Sequence, residues 1–214
     1  MAAFARVAEA GGWGIEFDVR WTRDLQPVVI HDPNTARVFG IDLEVATVDL
    51  RELRQQVPEI PTLEEVVACF GGTTHLMVEL KRDELGAVAG RADRLRAIFA
   101  TLTATKDYHF LALQFDLFKL VEFAGDKACL PVAVLNLGNF SHDALTRELG
   151  GVCGQYLLLN QGLIRRHHRE GQELGTGFVG SRFCLYRELN RGVDWIFTNH
   201  ALKLEAIRQE LLQR

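Results

Sequence analysis

Hydrophobic and polar residues alternate strictly from Trp13 to Val19. The odd positions of this segment are apolar, whereas Glu16 and Asp18 occupy two successive even positions. Side chains of a strand point alternately to opposite faces, so carboxylates two positions apart share one face. The segment therefore predicts a strand over Gly14–Val19 with one apolar face and one acidic face.

A second segment, Leu76–Lys81, repeats this alternation. One face carries Leu76, Val78 and Leu80, and the other carries Glu79 and Lys81. Between the two segments, Arg23–Gln26 predicts a turn and Pro27–Ile30 a short return strand. That strand would carry the next residue, His31, back to the end of the strand that bears the first two carboxylates.

Further apolar runs predict strands, and helix-length stretches separate them. The predicted strands are Gly14–Val19, Leu76–Leu80, Phe110–Gln114, Pro131–Leu135, Gln155–Leu159, Thr176–Val179 and Asp194–Thr198. The predicted helices are Ala2–Ala10, Thr62–Phe70, Arg91–Thr103, Asp116–Ala124, His142–Leu149, Leu163–Arg169, Arg182–Arg191 and Ala201–Leu212.

Alternating strands and helices produce right-handed βαβ units and a parallel sheet. Seven such strands predict an α/β fold, a TIM (β/α)8-type barrel with its first strand missing and an opening between Gly14–Val19 and Asp194–Thr198. An open doubly wound sheet is the alternative, although no GxGxxG follows a first strand. The excursion from His31 to Pro58 is predicted to be a lid or side loop over the end of the barrel that would carry an active site.

Composition and charge narrow the classes of function. The chain has 214 residues, 48% hydrophobic and 24% charged, so residues 1–214 are predicted to form one globular domain. A net charge of −4 provides no basic field for nucleic acid. No apolar run is long enough to span a membrane, and no signal peptide is evident, which predicts a cytoplasmic protein with reduced, buried cysteines.

The carboxylates at the predicted strand ends suggest a metal site. Glu16, Asp18 and Glu79 are hard oxygen donors of the kind that Mg²⁺ or Ca²⁺ prefers. The same alternation also occurs in half-exposed strands whose polar face meets solvent, and spacing alone does not choose between the two interpretations.

Two cationic or titratable residues could complete a site that handles phosphate. His31 could act as a general acid or base, since imidazole titrates near neutral pH, although a histidine after a strand can also be structural. Lys81 could bind a phosphate oxygen, or it could form a salt bridge with Glu79 or a neighbouring acid.

With these residues in place, the chain resembles the glycerophosphodiester phosphodiesterase family over nearly its whole length. The most specific stretches are Gly14–Val19, Thr22–Asp24 and Pro27–Asp32. The stretches that follow are Asp49–Leu50, Glu52–Leu53, Ile60–Val66 and Val78–Lys81, with weaker ones at Phe115–Asp116 and Gly192–Asn199. Their order and spacing together make the resemblance specific.

The resemblance implies a metal-dependent phosphoric diester hydrolase. Its substrates would be small-molecule glycerophosphodiesters, which it would split into glycerol 3-phosphate and an alcohol. It implies Glu16, Asp18 and Glu79 as metal ligands, His31 as one of two acid–base histidines and Lys81 as a phosphate contact. A non-catalytic phosphodiester- or metal-binding relative is the alternative, and a phospholipase D-like barrel enzyme is a further one.

Two positions depart from the family pattern. The family opens with a strand that ends in His-Arg-Gly, followed by Glu-Asn-Thr, whereas Met1–Phe4 is similar to the helix just after that segment. The family's Trp-Thr-Val near the seventh strand corresponds to Gly177-Phe178-Val179 here. Because the first histidine of the family pattern has no counterpart in the 214 residues, we expect them to show weak activity or none. The second departure predicts an altered wall of the active site.

Overall fold

The structure is a computed structural model that describes residues 1–83, 88–134 and 137–212. The strands are β1 Gly14–Trp21, β2 Pro27–Val29, β3 His75–Leu80, β4 Tyr108–Ala112, β5 Cys129–Ala133, β6 Gly151–Gln155, β7 Glu173–Gly177 and β8 Trp195–Ile196. The α-helices are α1 Ala2–Glu9, α2 Ala36–Phe39, α3 Leu50–Gln56, α4 Leu63–Phe70, α5 Val88–Ile98, α6 Leu137–Thr146, α7 Gln161–Arg169, α8 Arg182–Arg191 and α9 Ala201–Leu212. The 3₁₀ segments are Val45–Thr47, Phe115–Ala124 and Asp126–Ala128. None of the helices within the described ranges combines the length and the apolar character needed to cross a bilayer.

The strands form one sheet in the order β2-β1-β3-β4-β5-β6-β7-β8. All neighbouring pairs are parallel except β1 and β2, which pair antiparallel where Val19–Trp21 meets Pro27–Val29. The order of the parallel strands follows the chain without a reversal, as in a singly wound barrel and unlike a doubly wound sheet. The predicted seven parallel strands and return strand are therefore confirmed, and in the described part of the chain no ladder joins β1 to β8.

The two faces of the sheet bury different sets of side chains. Ile15, Phe17 and Val19 of β1 pack with the helices in the larger hydrophobic core. On the opposite face, Met77 and Leu111 join a smaller core in the barrel interior. Even positions of β1 and odd positions of β3 point to that interior, so both acidic faces predicted from the sequence line the barrel rather than the outer surface.

The excursion after β2 has its own small core. Val28 and Ile30 pack there with Val45, Leu53 and Ile60. The backbone N–H of Val29 donates to Pro61 O at 2.9 Å, which ties β2 to the start of α4. The excursion is thus a packed side structure. A groove of about 490 Å³, lined by Arg20, Glu44 and Arg82 among others, lies between it and the ends of β1 and β3.

Several predicted boundaries were wrong, most clearly at Gln155–Leu159. The strand there is β6, Gly151–Gln155, and the apolar run that follows forms a turn. A Cβ at Gly151 would lie 1.7 Å from Glu173 O, so only glycine permits this close approach of two backbones. A glycine-rich strand carries little hydrophobic signal, which explains the error. Leu135, predicted to end the preceding strand, lies outside the described residues.

Two smaller predictions also need correction. The predicted helix Asp116–Ala124 is a 3₁₀ segment interrupted at Val121, whose φ of −127° is not helical. Cys129 and Cys153 are buried as predicted, but Cys69 is exposed because it lies on the outward face of α4.

Candidate active site

Three carboxylates converge inside the barrel at the carboxyl ends of two neighbouring strands. Asp18 lies directly opposite Glu79 in the parallel register of β1 and β3, and Glu16 lies one step below on the same face. One carboxylate oxygen from each of the three lies within 4.8 Å of the others. The strand positions predicted from the sequence therefore bring these groups within reach of a single cation.

Lys81 lies between two members of this cluster. Its Nζ donates to Asp18 Oδ1 at 2.8 Å and also to Glu79 Oε1. Desolvation acts to lower the pKa of Lys81, but the hydrogen bonds with both carboxylates outweigh it, so the pKa is raised. The salt bridge considered in the sequence analysis is thus present, and one ammonium group pairs with two of the three carboxylates.

Glu16 has no salt bridge within the described residues. Surrounding protein and the negative charges of Asp18 and Glu79 raise its pKa from 4.5 to about 8, although Lys81 acts in the opposite direction. Its side chain still keeps contact with solvent. A site with this excess of negative charge favours either a proton or a cation.

His31 lies beside the carboxyl end of β1. The backbone N–H of Ile30 donates to Asp18 O at 3.1 Å, which fixes the chain just before His31. The ring is 62% exposed, and its Nδ1 is 2.7 Å from Asp32 Oδ1. If Nδ1 donates to this carboxylate, Nε2 is the nitrogen available to a substrate.

Asp32 is held in its ionised form. Its other oxygen accepts from Arg37, and the hydrogen bonds from Arg37 and His31 lower the pKa of Asp32 to about 2. A charged Asp32 beside Nδ1 therefore orients the imidazole ring of His31.

Arg20 and Asp83 support the same region. The Arg20 Nε donates to His31 O at 2.8 Å, and its Nη1 donates to Asp83 Oδ1 at 2.6 Å. Asp83 also accepts from the Trp21 backbone N–H at 3.1 Å. The sequence analysis missed this pair, although Arg20 continues the polar face of Glu16 and could have been found from its spacing.

Comparisons with known proteins identify the family of the chain. The family model for the glycerophosphoryl diester phosphodiesterase family matches residues 1–203. The chain belongs to this family. A glycerophosphodiester phosphodiesterase from Caldanaerobacter subterraneus subsp. tengcongensis is 27% identical, with 93% of this chain and 87% of the relative covered.

Solved structures share the fold of this glycerophosphoryl diester phosphodiesterase family member. The glycerophosphodiester phosphodiesterase of Thermotoga maritima has a TM-score of 0.76 at 22% identity, covering 100% of this chain and 90% of that one. A protein described as a putative glycerophosphoryl diester phosphodiesterase from Agrobacterium tumefaciens has a TM-score of 0.83 at 18% identity, covering 100% and 92%. A phosphodiesterase of Oleispira antarctica, solved with the product sn-glycerol-3-phosphate, has a TM-score of 0.82 at 17% identity, covering 97% and 90%.

The resemblance inferred from the motifs is therefore confirmed, as is the barrel. In this member of the glycerophosphoryl diester phosphodiesterase family, the residues predicted to form the site lie at one end of the sheet, on β1, on β3 and just after β2. Their individual roles stay predictions.

The family member also has two buried histidine networks that the sequence analysis did not identify. His75 Nε2 is 2.9 Å from His109 Nδ1 at the opposite end of the barrel. Ser141 Oγ is 2.7 Å from His167 Nε2 between α6 and α7. Only burial distinguishes these histidines from surface ones, so composition and spacing gave no signal for them.

Proposed function

We propose that this chain hydrolyses glycerophosphodiesters to glycerol 3-phosphate and an alcohol, using a divalent cation, Mg²⁺ or Ca²⁺. The observation that carries the proposal is the convergence of Glu16, Asp18 and Glu79 within 4.8 Å at the mouth of a barrel of this family. The Oleispira antarctica phosphodiesterase, solved with sn-glycerol-3-phosphate, supports the same class of substrate.

The donor set fits a hard dication. Carboxylate oxygens are the ligands that Mg²⁺ and Ca²⁺ prefer, and here three carboxylates converge while Lys81 pairs with only two of them. We therefore assign Glu16, Asp18 and Glu79 as the residues that would hold the cation. When bound, the cation would supply positive charge that stabilises the phosphoryl oxygens of the transition state.

Lys81 is proposed to bind a phosphate oxygen. It is already positioned by Asp18 and Glu79, and its side chain is only 14% exposed. A cation bound to those carboxylates would compete with the Lys81 ammonium for them. The ammonium group would then be free to donate to the phosphate.

His31 is proposed to transfer one proton. In-line hydrolysis requires that the attacking water lose a proton and that the departing alcohol gain one. Nε2 of His31 would serve one of these two transfers, while Asp32 holds Nδ1 at 2.7 Å. Because one imidazole does not readily reach both sides of the phosphorus atom, we expect low turnover when only this histidine acts.

The test is release of glycerol 3-phosphate from glycerophosphocholine, measured with and without Mg²⁺ or Ca²⁺. We expect cation-dependent turnover that EDTA abolishes and that His31→Ala reduces by about 10²-fold or more. His142→Ala, at an exposed histidine on α6, is the matched control and should keep wild-type turnover. Cation-independent turnover, or turnover unchanged in His31→Ala, would contradict the proposal, and cation binding without turnover would favour a non-catalytic relative.

A further inference from the structure

A buried ion pair lies beyond the carboxylate cluster, toward the mouth of the barrel. Arg20 Nη1 donates to Asp83 Oδ1 at 2.6 Å, and the two side chains are only 11% and 5% exposed. Neither residue is a proposed cation ligand, the proposed phosphate contact or the proposed proton-transfer residue. Charged groups lose hydration when they are buried, so a buried pair that the chemistry does not use requires an explanation.

The pair adds a second charged contact between the ends of β1 and β3. Arg20 lies two residues after Asp18 on β1 and therefore shares its inward face. Asp83 lies two residues after Lys81, in the segment that follows β3. Lys81 pairs with Asp18 at 2.8 Å, so two ion pairs join the same two chain segments with the signs exchanged.

Each member of the pair also binds the backbone of the neighbouring segment. Asp83 Oδ2 accepts from the Trp21 N–H at 3.1 Å. Arg20 Nε donates to His31 O at 2.8 Å. Because Arg20 binds the carboxylate and the carbonyl through different nitrogens of one planar guanidinium, the two oxygens have fixed positions relative to each other. The pair therefore links the segment after β3 to the residue that is proposed to transfer a proton.

His31 depends on its backbone contacts for its position. Its ring is 62% exposed, so packing does not hold it. The Ile30 N–H donates to Asp18 O at 3.1 Å on one side of His31, and Arg20 binds the His31 carbonyl on the other. Within residues 33–47, the backbone N–H groups that bond to backbone oxygens do so inside that segment. Arg20 is therefore the contact that holds the start of the excursion against the barrel.

We propose that Arg20 and Asp83 are positioning residues that fix His31 relative to the carboxylate cluster and Lys81. They act through the His31 carbonyl, which keeps the imidazole at a constant distance from a phosphodiester bound beside Lys81. Proton transfer depends on this distance, because donor and acceptor must approach within about 2.6–3.2 Å. Asp83 balances the charge of Arg20, so loss of both should leave substrate and cation binding nearly unchanged. This inference rests on the proposed function and deepens it.

The test replaces the pair without leaving one buried charge unpaired. Arg20→Met combined with Asp83→Asn removes both charges and keeps an oxygen that can accept from the Trp21 N–H. Arg23→Met combined with Asp49→Asn is the matched control, because Arg23 Nε and Asp49 Oδ1 form an exposed pair at 3.0 Å. Arg20→Lys is the conservative variant, since it keeps the charge and loses the planar guanidinium.

Hydrolysis of glycerophosphocholine with Ca²⁺ separates positioning from binding. We expect the Arg20 and Asp83 double variant to lower kcat at least about tenfold, while KM and the Ca²⁺ dissociation constant stay within about threefold. Arg20→Lys should lose less of kcat than the double variant, and the control should lose none. An unchanged kcat would overturn the inference. So would a KM or Ca²⁺ dissociation constant that rises as much as kcat falls, since the pair would then act in binding.

Amide hydrogen exchange followed by NMR tests the same inference without turnover. Exchange at Ile30 reports how firmly the chain before His31 is held to Asp18 O, whereas exchange at Leu76, whose N–H donates to Asp107 O at 2.9 Å, reports on the fold as a whole. We expect the double variant to accelerate exchange at Ile30 at least about tenfold more than at Leu76, and the control to change neither.

Equal acceleration at Ile30 and Leu76, or none at Ile30, would overturn the inference. Absence of turnover in the wild type would contradict the proposed function alone, because the exchange comparison still decides whether the pair holds His31. Turnover that survives in the double variant, together with unchanged exchange at Ile30, would overturn this inference and leave the proposed function intact.

Discussion

Replacing Glu16 with glutamine tests whether the carboxylate cluster is a cation site. Lys81 already pairs with Asp18 and Glu79, and no salt bridge of Glu16 is found within the described residues. Above pH 8, where Glu16 is ionised, the variant therefore removes a negative charge, and it breaks no ion pair. It also removes one of the three proposed ligands.

The first effect concerns the cation-free protein. Desolvation and the charges of Asp18 and Glu79 raise the pKa of Glu16 from 4.5 to about 8, a shift whose full equivalent is about 5 kcal/mol. Because the side chain contacts solvent, water screens most of this repulsion, and we expect Glu16→Gln to stabilise the fold by only about 1 kcal/mol. Because the pKa of Glu16 is raised in the folded state, its ionised carboxylate destabilises the fold fully above pH 8. This destabilisation disappears as the pH falls below 4.5.

The second effect concerns the cation. A ligand that binds only the folded state at 100 times its dissociation constant stabilises it by about 2.7 kcal/mol, or about 5–10 °C in Tm for a chain of this length. Wild-type protein should show this shift with Mg²⁺ or Ca²⁺, and Glu16→Gln should lose most of it. Thermal unfolding followed by circular dichroism, with EDTA or either cation, measures both effects.

Glu59→Gln is the matched control, because Glu59 is exposed and outside the cluster. It should change neither the cation-free Tm nor the cation-dependent shift. A cation-dependent shift in Glu16→Gln equal to that of the wild type would refute the reasoning.

Three further predictions concern other features of the fold and site. Burial, together with His75, lowers the pKa of His109 from 6.5 to about 4. The free energy of unfolding should therefore decrease by up to about 3 kcal/mol as the pH falls from 6.5 to 4, because the unfolded state takes up this proton first. Urea unfolding of His109→Gln should lack that pH dependence. Gly151→Ala should cost at least about 3 kcal/mol in urea unfolding, because its Cβ would lie 1.7 Å from a backbone oxygen of β7. Asp32→Asn should reduce kcat/KM for glycerophosphocholine at least about tenfold, because the His31 ring would lose the charged acceptor that orients it.

Alternation along β1 and β3 was sufficient to predict which residues meet in the barrel. Strand periodicity places Glu16, Asp18 and Glu79 on inward faces, and parallel register then brings their carboxylates together. The position of His31 followed from the turn and return strand before it. These predictions depend on local chemistry, which a single sequence carries.

Other features depend on contacts that local sequence does not encode. The strand at Gly151–Gln155 is set by the close backbone approach to Glu173, not by hydrophobic periodicity. The pairing of His75 with His109 joins residues on two strands and requires the register of the sheet.

A crystal structure of the chain with Ca²⁺ and sn-glycerol 3-phosphate tests the central claim most directly. The account predicts one cation within about 2.3–2.6 Å of oxygens from Glu16, Asp18 and Glu79. It also predicts that the phosphate contacts Lys81 and the cation, with His31 Nε2 within hydrogen-bonding distance of a phosphate oxygen. A cation bound elsewhere, or a phosphate bound away from these three carboxylates, would contradict it.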